Sequence, residues 1–272
     1  MTWVVGASSV LGYGVMVSDV RISFSDGSEA DLLRKVYPVG PYLMAGFAGS
    51  VRIGMTLIDH LQRCLYQTLQ NLDQAPPGQA FAFNPDVIAE DWSSSAADIF
   101  SRMPDEEREL GSQILIVGVD SSKNTGAPQF PYIHIAKLSW PDFKPEFSPQ
   151  SWHVQHIGSG SDIEKFVTVI GEHFKLGAST LQAEAGGPNA GSSMLGHSVG
   201  RLVKENPVTG IGAHVNIDVC RLGGFSHGNN NERTFYPDGS IGDFQMPPIA
   251  ETYEQFLEMC QDLGKAASGA IA

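Results

Sequence analysis

Thr2 follows Met1 alone at the start of the sequence. An initiator methionine is normally removed when the second residue is small. Thr2 would then carry a hydroxyl and a free α-amine on one residue, which is a nucleophile with its own base. An α-amine titrates at about pH 8, so part of it is unprotonated at neutral pH and suited to general-base work. A threonine at position 2 is also common by chance, so its weight depends on the residues that follow.

Three later stretches could serve that chemistry. In Ser18-Asp19-Val20-Arg21, strand alternation puts Asp19 and Arg21 on one face. Lys35 follows in Leu33-Arg34-Lys35-Val36, close to apolar neighbours. A lysine there can be buried if a carboxylate pairs with it, and Asp19 is the obvious partner. Such a lysine would keep its charge and depress the pKa of a nearby amine or hydroxyl. A surface strand with alternating charges would use the same residues. In Ala45-Gly46-Phe47-Ala48-Gly49-Ser50, small residues let a backbone approach a ligand just where a helix begins. Its N–H groups could receive an oxyanion, and a tight strand-to-helix turn needs the same composition. Ile157-Gly158-Ser159-Gly160-Ser161 also joins a strand to a helix, but lacks the lysine of a P-loop and the third glycine of a dinucleotide fingerprint.

The elements that must position these residues follow from periodicity. Strands are predicted over Thr2 to Ala7, Tyr13 to Asp19, Leu33 to Tyr37 and Tyr42 to Ala48, with a turn at Ser25-Asp26-Gly27-Ser28. Ser50 can cap a helix carrying Ile53, Leu57, Leu61 and Leu65, and a second helix is expected from Pro85 to Arg102. Between them Gln74 to Phe83 reads as a loop. Gln113 to Val119 is a buried strand, and Pro131 to Leu138 and Trp152 to Ile157 are further strands. Helices over Ser161 to Lys175 and Met194 to Lys204 flank a loop near Gly186 and Gly187. Ala213 to Leu222 alternates as a half-buried strand. Strands, two helices, strands, two helices and strands suit an α+β fold: a four-layer αββα sandwich of two antiparallel sheets between helical layers. Residues 2–224 read as one domain. Residues 225–272 read as an extension packed on it, with a polar Asn229-Asn230-Asn231 loop, a turn at Pro237-Asp238-Gly239 and a closing helix from Glu251 to Leu263.

Composition narrows the function. Of 272 residues, 17 are basic and 30 acidic, a formal charge of −13, so no basic patch is expected for nucleic acid or an anionic membrane. No apolar run approaches a membrane span, and no signal peptide is evident. Cys64, Cys220 and Cys260 are scattered, with no metal-ligand spacing and no disulfide framework, which suits a reducing cytoplasm. No cofactor or metal is expected. His153 and His156 stand three apart in an expected strand, project to opposite faces and read as structural.

Taken in order, Thr2, Asp19-x-Arg21, Lys35, Ala45-Gly46-Phe47-Ala48-Gly49 and Gly158-Ser159-Gly160 resemble the landmarks of proteasome β-subunits and of the related peptidase of the bacterial heat-shock protease. The match is close over residues 2–65 and looser from 112 to 222. The resemblance implies an N-terminal-nucleophile hydrolase, a threonine-type peptidase acting on peptides or unfolded proteins within a ring of identical subunits. An ATP-dependent unfoldase is the partner it suggests. It implies Thr2 as nucleophile, Lys35 lowering the pKa of its hydroxyl, Asp19 holding Lys35, and Gly49 donating to the oxyanion. Ser159 would support the Thr2 amine, with Arg21, Asn206 and Thr209 in the supporting network. Ser23 would pair with the substrate strand, and Phe47 and Ala48 would line its pocket. Asn206 stands where the family places an aspartate, which keeps hydrogen bonding and loses a charge. A small-molecule amidase on the same fold, or a catalytically silent structural subunit, are the other readings.

Overall fold

The computed structural model describes residues 2–8, 13–40, 42–73, 84–120, 132–148, 154–168, 188–221, 224–235 and 241–272. In chain order the strands begin with Val4–Ser8 (β1), Gly14–Asp19 (β2), Arg21–Ser23 (β3), Glu29–Asp31 (β4), Val36–Gly40 (β5) and Leu43–Gly49 (β6). Three helices follow, Val51–Asp73 (α1), Pro85–Ser101 (α2) and Asp105–Arg108 (α3). Next come Ser112–Asp120 (β7), Tyr132–Ser139 (β8), Pro145–Phe147 (β9) and Val154–Ile157 (β10). The chain ends with Pro188–Glu205 (α4), Val215–Arg221 (β11), Gly224–Asn229 (β12), Glu232–Phe235 (β13), Ile241–Phe244 (β14) and Tyr253–Asp262 (α5).

The fold is mixed α+β with antiparallel sheets. One five-stranded sheet has the order β10-β1-β2-β11-β12 and the other β5-β6-β7-β8-β9, with two-stranded ribbons β3-β4 and β13-β14. Alternation explains how they stack. Val4 and Met16 face a cluster that also holds Val36, Met44, Leu115 and Val117, so the two large sheets pack against each other. Their neighbours Val5, Val15 and Val17 turn the other way, into a cluster with Val199, Leu202 and Val203 of α4. On the second sheet Ile114 and Ile116 face outward, among Leu57 and Leu61 of α1 and Trp92 and Ala96 of α2. Both sheets are therefore apolar on both faces, and the helices cover the outer ones. The sheets approach closely where side chains are missing. A Cβ on Gly6 would lie 2.8 Å from Val117 Cγ2, and one on Gly46 2.8 Å from Met16 Cε.

Local chemistry sets the helix starts. Ser50 Oγ accepts from Ile53 N at 3.1 Å at the head of α1, Asn84 Oδ1 accepts from Asp86 N at 2.9 Å before α2, and Thr252 Oγ1 accepts from Gln255 N at 3.3 Å before α5. α5 buries Phe256 and Cys260 in the outer core of the second sheet. β12 is the edge strand of the first sheet, so the stretch just after Gly224 belongs to the main sheet.

Some elements differ from their sequence reading. The strand expected at Leu33 starts at Val36, because Leu33 bridges Ala250 instead and Arg34 N donates to Ala250 O at 3.0 Å. The stretch expected to be helical from Ser161 begins as a 3₁₀ turn, Ser159–Asp162, and becomes α-helical from 164. Asn230, read as part of a polar loop, is buried. Its Oδ1 accepts from Val215 N at 2.9 Å and its Nδ2 donates to Ala213 O at 2.8 Å. The loop at 74–83, Trp152, His153, the Gly186 and Gly187 loop, and the 237–239 turn lie outside the described residues. Among the described residues, no helix is long and apolar enough to cross a membrane.

Gly54 of α1 lies under the Phe47 ring, where a Cβ would come 2.0 Å from Phe47 Cδ2. Gly54→Ala should therefore destabilise the fold by about 1–3 kcal/mol, since overpacking outweighs the ~1 kcal/mol gain in helix propensity. Gly228→Ala, with open space around it, should stay within about 0.5 kcal/mol of the parent. Urea unfolding of both variants checks the contrast.

Candidate active site

Lys35 is fully buried at the mouth between the two sheets, just before β5. Its Nζ donates to Thr2 Oγ1 at 2.5 Å, to Asp19 Oδ1 at 3.0 Å and to the carbonyl of Arg21 at 2.5 Å. An ammonium has three donors, and each has an acceptor here. Burial pulls the Lys35 pKa below its ordinary value, while the adjacent Asp19 pulls it up. Lys35 is thus held as a cation by three acceptors yet is easier to deprotonate than a lysine in water.

Asp19, at the end of β2, is 1% exposed. Its Oδ1 also accepts from Trp3 N at 2.9 Å, and its Oδ2 accepts from Arg21 N at 3.0 Å and Gly212 N at 3.2 Å. With Lys35 that makes four donors on one carboxylate, and together they fix its orientation. Thr2 itself is 0% exposed, and its carbonyl accepts from Gly160 N at 3.3 Å. The next residue anchors it. Trp3 stacks on Phe166 with ring centroids 4.7 Å apart, and its Nε1 donates to His156 Nδ1 at 2.9 Å. Gly158 has φ +81°, and a Cβ there would meet the Thr2 carbonyl oxygen at 2.2 Å, so only glycine lets this turn run beside Thr2.

The structure thus brings Thr2, Asp19 and Lys35 together and sets the 158–160 turn, which includes Ser159, against the Thr2 backbone. Arg21 contributes its backbone. Its guanidinium turns away, with Nε donating to Asp31 Oδ1 at 2.6 Å and Nη1 to Glu29 Oε2 at 3.3 Å. The bond to Asp31 raises the Arg21 pKa. Ala48 lies in the layer between the sheets, 3.3 Å from the position of a Gly158 Cβ. Phe47 points the other way, fully buried in the sheet–helix core. Gly49, with φ +101°, directs its N–H to the carbonyl of Ala272 at 2.9 Å. Ser23 exchanges both backbone bonds with Ile271, each at 2.9 Å. Asn206 and Thr209 sit apart from this cluster. Asn206 donates to Leu202 O at the end of α4 and accepts from Lys165 Nζ, and Thr209 is exposed in the turn that follows. The segment reaches the site through the Gly212 N–H instead.

Three contributors had no signal of their own in the sequence: the Arg21 carbonyl, the Gly212 amide and the Trp3–His156 pair. The first two act through backbone atoms. Trp3 and His156 are distinctive residue types, but 153 positions separate them.

Burial, reinforced by the charge of Lys137, lowers the His156 pKa to about 4. Its Nδ1 accepts from Trp3, which requires the neutral ring. The folded value lies below the unfolded one of about 6.5. The contribution of His156 to stability is therefore complete above about pH 6.5 and is lost as the pH falls to about 4, a total of ~3 kcal/mol. Unfolding midpoints in urea between pH 7.5 and 4 should fall more steeply for the parent than for His156→Gln.

No family model matches the chain, and no curated protein matches it significantly.

Proposed function

We propose that the chain is a threonine-type peptidase whose nucleophile is Thr2 after loss of Met1. The observation that carries the reading is the 2.5 Å contact between Lys35 Nζ and Thr2 Oγ1, buried together with Asp19. In this mechanism Thr2 Oγ attacks the scissile carbonyl carbon. Its proton passes to the Thr2 α-amine, directly or through a water, while the Lys35 ammonium, donating to Oγ1, lowers the pKa of the hydroxyl. The N–H of Gly49 receives the developing oxyanion, and the collapsing intermediate releases the amine product protonated. Water then attacks the Thr2 ester, returns the proton and frees the acid product.

The face-to-face packing of two antiparallel sheets, with helices on their outer faces, supports a four-layer αββα sandwich of the N-terminal-nucleophile hydrolase kind. In this reading the peptidase domain of residues 2–224 continues through the edge strand β12, and the rest of the extension from 225 is packed on it. The enzyme works in the cytoplasm as a ring of identical subunits, with peptides or unfolded proteins as substrate and an ATP-dependent unfoldase as partner.

Thr2→Ala should abolish hydrolysis of a fluorogenic peptide, and Lys35→Ala should lower kcat by on the order of 10²–10⁴-fold. Intact mass after incubation with a peptidyl epoxyketone should show loss of Met1 and one adduct, absent in Thr2→Ala. Hydrolysis at the parent rate by Thr2→Ala removes Thr2 from the mechanism. Light scattering should give the mass of a ring, and a monomer that still cleaves small amides favours the amidase.

A further inference from the structure

The last residues of the sequence lie across the site as an added strand. Ile271 N donates to Ser23 O and Ser23 N to Ile271 O, both at 2.9 Å. On the other side Ala272 N donates to Gly49 O at 2.8 Å, Gly49 N to Ala272 O at 2.9 Å, and Val51 N to Ala270 O at 3.0 Å. Ile271 thus forms antiparallel bridges with both Ser23 and Ser50. Five backbone bonds from two facing edges hold three residues, which is the geometry of strand addition by a peptide.

The side chains fit as well. Ala270 and Ala272 are each 1% exposed and belong to the apolar cluster that contains Phe47, Val51 and Met55, while Ile271 is half-buried. One position further back, Gly269 N donates to Glu107 Oε1 at 3.2 Å. Glu107 lies in α3, is itself 1% exposed and also accepts from Ser50 Oγ. The Gly49 N–H assigned above to the oxyanion is already donated to Ala272 O.

We infer that residues 269–272 are an intramolecular occupant of the peptide groove, which a substrate strand must displace to reach Thr2. The groove accordingly takes an extended peptide with small side chains at the two buried positions and an aliphatic one between them. This inference rests on the peptidase reading of the same site. Displacement is an exchange, because an incoming strand remakes the backbone bonds that the tail gives up. A tethered occupant competes at an effective concentration in the millimolar range, so it weakens substrate binding and leaves the chemical step alone. The tether is lightly fixed. Lys265 pairs with Asp26 at 2.7 Å in a partly exposed setting, where solvent screens the contact.

The test uses a fluorescein-labelled peptide with the sequence of residues 267–272. Its binding is read by fluorescence anisotropy on Thr2→Ala, on Thr2→Ala lacking residues 268–272, and on Thr2→Ala with Ile271→Pro, which deletes one donor at a half-buried position. The shortened and proline forms should bind it at least tenfold more tightly than the full chain. In the Thr2 background the same two changes should lower KM for a fluorogenic peptide and leave kcat unchanged. Equal binding by all three forms, or by none, overturns the inference. Hydrogen exchange on the unaltered chain needs no variant to fold. Saturating probe should expose the Ile271 and Ala272 amides, and unchanged protection with probe bound overturns the inference. Probe that binds only the shortened forms, with no hydrolysis by any Thr2 form, upholds the occupied groove and rejects the peptidase.

Discussion

Everything around Thr2 depends on one buried ion pair. Lys35 and Asp19 have almost no contact with solvent, and each would cost several kcal/mol to bury alone. Neither can be removed without stranding the other. Their mutual attraction is not enough by itself, so the backbone completes it. The Arg21 carbonyl takes one lysine donor, and the amides of Trp3, Arg21 and Gly212 take the remaining acceptor sites of Asp19. These groups come from the start of β1, the junction of β2 and β3, and the segment before β11. The pair thus forms only when the first sheet is assembled and Lys35 has been carried across from the second.

That requirement explains why the sheets meet so closely at this end. A lysine side chain leaving the start of β5 must reach a carboxylate at the end of β2. Gly6 and Gly46 leave no side chain between the sheets, and the neighbouring Val4, Met16, Leu115 and Val117 fill the layer. Packing of this density transmits small displacements. The Trp3 stack therefore acts on the site directly: it fixes the residue adjoining the nucleophile, on the same strand that donates to Asp19.

The sequence was most informative where side chains carry the chemistry. Thr2, Asp19 and Lys35 were each ambiguous alone, since an alternating surface strand uses the same residue types, and they stood out through the order and spacing that carry the family resemblance. The two antiparallel strand blocks and the long helices were legible from alternation and from fourfold periodicity. Backbone contributors were not, since an amide or carbonyl leaves no mark on residue type. Glu107 stands in the run Asp105-Glu106-Glu107, which drew no notice in the sequence, and only the fold buries it against Ser50. Asn206 and Thr209 were expected at the site only from the family resemblance; the segment does approach Asp19, but it does so through Gly212. The ending Ala-Ile-Ala has no polar feature to draw notice, and its partners lie more than 200 positions earlier.

That separation also bears on biosynthesis. The strand edges at Ser23 and at Gly49–Val51 emerge from the ribosome early, whereas the residues that pair with both are translated more than 200 residues later. For most of elongation the nascent chain carries two open edges side by side, able to accept any extended segment that passes, including its own hydrophobic strands. Sealing waits until residues 270–272 have left the ribosome. The order of translation thus makes closure of this cleft a late event in the life of each new molecule.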